Sequence, residues 1–116
     1  PDLKFASHLP FYPPCMIMPD ILSFTDAPIH ILAGEVDNWV PAAACEELVD
    51  AANNAGYKMD ITVYPGASHS FDRKQDVEYL SYAYSFTDCR LKISKDGIVS
   101  IRSTGFPLSS PMLQNI

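Results

Sequence analysis

The chain has 116 residues, with 8 Lys and Arg against 14 Asp and Glu for a net charge of −6. That length excludes two independent domains, and the lack of any basic stripe excludes a nucleic-acid surface. Leu, Ile, Val and Phe make up 30 residues, about 26% and above the roughly 20% below which chains tend to stay disordered, so a core can form. Charged residues are only 19% and prolines number 10. So apolar a composition in so short a chain points to an oligomer or to part of something larger. The first half, residues 1 to 50, holds eight acids and one Lys, while the remainder is nearly balanced.

No apolar run approaches the roughly 18 residues of a membrane helix, so no membrane partner is expected. Cys15, Cys45 and Cys89 fit neither a CxxC metal pair nor a dense disulfide framework, and they read as free buried thiols. The first residue is Pro and not Met, so the native start is expected to lie upstream.

Residues 5 to 12, Phe-Ala-Ser-His-Leu-Pro-Phe-Tyr, read as a strand closed by Pro13-Pro14. Pro10 cannot donate a ladder hydrogen bond, so pairing there must be local, at an edge, or interrupted. Cys15 to Asp26 has no period and reads as a connector. Pro28 to Gly34 is a short, nearly continuous apolar run closed by Gly, the pattern of a strand buried on both faces in a parallel sheet. After a polar loop, Pro41 suits the first helical position and Gly56 the residue just past a helix end. Between them Cys45, Leu48, Val49 and Ala52 form one apolar stripe. Met59 to Tyr64 alternates apolar and polar residues, as a half-buried strand does. Together these make a βαβ unit with parallel strands and a right-handed crossover. A loop and then a helix around residues 76 to 86 is expected next, followed by a β-hairpin of residues 90–94 and 98–102 around an Asp96-Gly97 turn. Residues 103 to 116 read as a tail that is ordered only if it packs on something.

In a parallel βαβ unit, functional groups gather at the carboxyl ends of the strands. Asp37 follows the first strand and His69 the second, so an acid and an imidazole 32 residues apart can meet at one rim. A carboxylate on one ring nitrogen fixes the tautomer and leaves the other nitrogen as a general base, the orienting half of a nucleophile–His–acid triad. His8 and His30 sit in apparent strands and read as core or edge histidines. The Tyr79, Tyr82 and Tyr84 cluster reads as packing.

Gly34-Glu35-Val36-Asp37-Asn38-Trp39-Val40-Pro41, then a helix, a strand and Tyr64-Pro65-Gly66-Ala67-Ser68-His69-Ser70-Phe71-Asp72, resembles the C-terminal half of the dienelactone hydrolase family of α/β-hydrolases. The two motifs occur in the family's order and spacing, and the resemblance covers about residues 5 to 90. It implies an α/β fold: the C-terminal part of an α/β-hydrolase domain over residues 1–88, a parallel sheet with flanking helices, and a hairpin and tail over 89–116. It also implies that Asp37 and His69 are the triad's acid and base, that Arg73 contacts a substrate carboxylate, and that Trp39 and Tyr12 line the pocket. The nucleophile should be a Cys or Ser in a G-x-[CS]-x-G elbow upstream of both. No such elbow occurs in these residues, so the nucleophile is expected to precede Pro1.

The expected activity is hydrolysis of a small-molecule ester or lactone through an acyl-enzyme, with no cofactor and no metal. The missing N-terminal part of the same enzyme is the expected partner, self-association is an alternative, and a cytoplasmic location is expected. Two rival readings stay open: a prolyl-oligopeptidase-like serine peptidase or other esterase of the same fold, and a non-catalytic α/β association module.

Overall fold

The structure is a computed structural model that describes residues 3–80 and 84–108. Its centre is the βαβ unit. Strand β2 (Ile29–Gly34) and strand β3 (Met59–Tyr64) pair in parallel from Ile29 opposite Met59 to Gly34 opposite Tyr64. Helix α1 (Ala42–Asn54) connects them. The helix begins one residue later than Pro41 because that proline keeps an extended backbone (φ −63°, ψ 131°) and acts as the N-cap. Its end is a Schellman motif: Gly56 takes φ +94°, its N–H donates to the Asn53 carbonyl, and the Tyr57 N–H donates to the Ala52 carbonyl. Two carbonyls that the helix end would leave orphaned are thereby satisfied.

Alternation along β2 sends Ile31 and Ala33 to one face, where they are buried with Cys45, Val49 and Ala52 of α1 and Met59 of β3. Ile31 is only 1% exposed, and burying such a side chain contributes about 1.5–3 kcal/mol. The opposite face is half-buried and polar. His30 pairs there through Nδ1 with the Asp60 carboxylate and through Nε2 with Thr62 Oγ1, both on the neighbouring strand. The strand expected to be buried on both faces is therefore buried on one, and His30 is half-exposed.

Residues 5 to 12 do not form a continuous strand. They run parallel to β2 and touch it at two isolated bridges, His8 with Ile29 and Phe11 with Leu32. The rungs are His8 N–H to the Pro28 carbonyl, His30 N–H to the His8 carbonyl, Leu32 N–H to the Pro10 carbonyl and Tyr12 N–H to the Leu32 carbonyl. The absent rung is the one that residue 10 would donate, and Pro10 has no N–H to give. The pairing is interrupted for the reason the proline suggests.

Three expectations need correction. The Cys15 to Asp26 connector contains strand β1 (Ile17–Pro19), too short to show a period, which pairs in parallel with β4 (Leu91–Ile93). Cys15 and Cys45 are not free thiols: they form a buried disulfide, leaving Cys89 as the free cysteine among the described residues. The helix around residues 76 to 86 is absent from 76–80 and 84–86, while residues 81–83 lie outside the described residues. Val77 is 81% and Tyr79 92% exposed, so this stretch has no apolar stripe seated on a core that would stabilise a helix.

The hairpin forms as its turn chemistry predicts. Strands β4 and β5 (Val99–Ile101) pair antiparallel, Gly97 takes φ +83°, and its N–H donates to the Ser94 carbonyl. Strands β1, β4 and β5 thus make a second sheet, in the order β1-β4-β5. Arg90 and Arg102 tie it to α1 by pairing with Glu47, and Arg102 also donates to the Met16 and Leu91 carbonyls. Residues 103 to 108 fold back along β5, with Leu108 N–H on the Val99 carbonyl, while the rest of the expected tail, 109–116, lies outside the described residues.

Candidate active site

The loops after β2 and β3 meet at one rim because the strands that carry them are neighbours. Glu35 N–H donates to the Tyr64 carbonyl, Val36 N–H to the Ala67 carbonyl, and Gly66 N–H to Glu35 Oε1. Gly34 is required at the crossing. A Cβ there would lie within van der Waals overlap of the Ala67 carbonyl carbon, 2.9 Å away.

Asp37 and His69 come together at this junction. His69 Nδ1–H donates to Asp37 Oδ2 at 2.8 Å, while Asp37 Oδ1 accepts from the Trp39 and Val40 N–H groups at 2.9 and 2.8 Å. The Asp37 side chain is fully buried and His69 is 26% exposed. A buried carboxylate is costly unless its lone pairs are occupied, and here three donors occupy both oxygens. An ionised carboxylate can only accept, so Nδ1 is the donor of this bond, and in the neutral imidazole the lone pair falls to Nε2. Among the described residues no side chain hydrogen-bonds Nε2.

Two aromatic rings hold the imidazole. Tyr12 lies 4.5 Å from it, centroid to centroid, and Trp39 lies 5.3 Å away. His69 opens onto a cleft of about 510 Å³ lined also by Asn38, Trp39, Phe71, Arg73 and Tyr79. Arg73 and Trp39 therefore share the cleft with His69, whereas Tyr12 packs against the imidazole and is not one of the cleft's lining residues. A larger apolar groove of about 560 Å³, lined by Phe5, Leu9, Phe24, Leu48 and Met59 among others, contains neither Asp37 nor His69. The Asp37–His69 pair faces the smaller cleft through His69.

Sequence reasoning missed Asp72, Glu35 and Phe86. Asp72 accepts from the Tyr12 hydroxyl, Glu35 braces the histidine loop, and the Phe86 N–H donates to the Asn38 carbonyl at 2.7 Å, bringing the chain back beside the acid loop. Asp72 was visible beside the histidine motif, but its partner sixty residues away was not. Among the described residues no group of three or more His, Cys, Asp or Glu is placed to hold a metal ion, and no helix is long and apolar enough to cross a membrane.

An acid and a histidine thus lie hydrogen-bonded at the carboxyl ends of adjacent parallel strands. The profile of the Dienelactone hydrolase family matches residues 3–88, and the chain belongs to that family, which makes it a hydrolase of the α/β-hydrolase type. Neither a curated protein nor a solved structure matches the chain significantly.

Proposed function

We propose that this chain is the C-terminal part of a dienelactone-hydrolase-like enzyme that cleaves an ester or lactone through a nucleophile–His–Asp triad, with the nucleophile supplied from upstream. The observation that carries the reading is the Asp37–His69 hydrogen bond, with both carboxylate oxygens occupied and Nε2 left over. Within these residues, Cys15 and Cys45 are joined to each other, and Cys89 follows the histidine in the chain.

In this mechanism His69 Nε2 takes the proton of the nucleophile's thiol or hydroxyl as it attacks the acyl carbon. The imidazolium then gives that proton to the departing alkoxide, leaving an acyl-enzyme. Water attacks the acyl-enzyme, again losing its proton to Nε2, and the nucleophile leaves with that proton to release the carboxylic acid. Asp37 holds the tautomer and stabilises the imidazolium at both steps. Arg73 would hold a substrate carboxylate, Trp39 would wall the cleft, and Tyr12 packs against the imidazole outside the cleft lining. The apolar groove near Phe5 and Leu9 would pack against the upstream part of the sheet, residues 89–116 form an extension, and the 116 residues alone are inactive.

The test joins this chain to its upstream coding sequence and offers the product a lactone, a simple aryl ester and a peptide. Hydrolysis of lactone or ester that is abolished by His69→Ala is the expected result. Peptide cleavage with no ester or lactone turnover would replace the reading with a serine peptidase of the same fold.

A further inference from the structure

Among the described residues, Tyr12 (φ 38°) and Ser70 (φ 60°) are the non-glycine residues with left-handed backbone. Side chains rarely adopt this conformation, and it persists only where the surroundings enforce it. Both residues bear on His69. Ser70 is its chain neighbour, and its left-handed turn, closed by Arg73 N–H on the Ser70 carbonyl, separates His69 from Phe71 and Asp72. Tyr12 lies across from that turn. Its N–H donates to the Leu32 carbonyl at 2.7 Å, its ring sits 4.5 Å from the imidazole and 5.7 Å from Phe71, and its hydroxyl donates to Asp72 Oδ1 at 2.9 Å.

Packing against the imidazole accounts for the ring of Tyr12 but not for its hydroxyl. A phenol donating to an ionised carboxylate is charge-assisted, hence among the stronger neutral-donor bonds. It closes a loop from Tyr12 through Asp72 and Ser70 back to His69. The imidazole needs such a restraint, because the torsion that turns its ring is broad and one hydrogen bond to Asp37 leaves the ring free to rock. With the latched Tyr12 ring and the Trp39 ring both packed on the imidazole, that freedom is removed.

We propose that Tyr12 and Asp72 are positioning residues, their hydroxyl-to-carboxylate bond latching the Tyr12 ring onto the imidazole and so keeping His69 seated on Asp37. The inference rests on the reading of Asp37 and His69 as the acid and base of the site.

The test is proton NMR of the full-length protein, following the downfield Nδ1–H resonance of the Asp37–His69 pair and its exchange with water, alongside thermal unfolding and kcat and KM for the ester or lactone turned over. Tyr12→Phe keeps the ring and loses the latch, and Asp72→Ala removes the acceptor at an exposed position where the fold should tolerate it. Each should speed exchange of the resonance by about tenfold and lower kcat with KM little changed. Asp72→Asn retains an accepting oxygen and should stay within about threefold of the wild type. Wild-type exchange in Asp72→Ala overturns the latch, whatever becomes of Tyr12→Phe. A wild-type protein lacking the resonance would instead overturn the acid–base reading beneath it, so the two failures are distinguishable.

Discussion

Gly34 and Ala67 are in backbone contact: a Cβ built on Gly34 would run directly into the Ala67 carbonyl oxygen. That oxygen also accepts the Val36 N–H, so the acid loop and the histidine loop are locked at one point. Gly34→Ala must push the loops apart, and the obstacle is backbone that cannot swing away. Overpacking of this kind costs about 1–3 kcal/mol. Urea unfolding should show that loss, together with a fall in activity of the complete enzyme.

Asp37 does two separable things, orienting His69 and satisfying two backbone N–H groups. Asp37→Asn keeps an oxygen for the N–H groups but removes the negative charge and offers the wrong partner to Nδ1–H. Turnover should fall by about 10⁴ with the fold retained. Asp37→Ala should lose activity similarly and also about 1–3 kcal/mol of stability, because buried donors are left unpaired. Equal stability of the two variants would show that the backbone bonds contribute nothing.

The Cys15–Cys45 disulfide closes a separation of 30 residues. Constraint of the unfolded chain over such a loop is worth about 2–4 kcal/mol. Unfolding with and without reductant should differ by that amount, and the Cys15→Ala/Cys45→Ala double variant should be insensitive to reductant. Cys89→Ser should leave the reductant effect intact.

Glu47 receives both Arg90 and Arg102, yet its side chain is 48% exposed. Solvent screening limits such a network to less than about 1 kcal/mol. Glu47→Gln should therefore change global stability little, and added salt should shrink the difference between variant and wild type.

The βαβ unit and the hairpin were legible because each is written in local signals. These were the stripe from Cys45 to Ala52, the alternation from Met59 to Tyr64, and the Asp96-Gly97 turn. The meeting of Asp37 with His69 was legible because adjacent parallel strands ending at the same rim must bring their outgoing loops close together. Other features were hidden for physical reasons. A three-residue strand such as β1 has no period, and its partner begins at Leu91, far along the chain. The Cys15–Cys45 pairing depends on how α1 packs, which spacing does not report. Val77, Leu80 and Tyr84 imitate helical spacing, but Val77 and Tyr84 lie exposed, with no core seated on them to reward a helix.

The docking of β4 on β1 bears on the order in which the molecule assembles. Ile17 meets Leu91 across 74 residues, whereas Ile29 meets Met59 across 30. Closing the longer loop costs about 0.8 kcal/mol more in chain entropy, and a three-residue ladder returns less than the six-residue one between β2 and β3. The βαβ unit should therefore form first, with the second sheet condensing onto it late. Destabilising substitutions in β4 or β5 should accelerate unfolding while leaving the folding rate nearly unchanged.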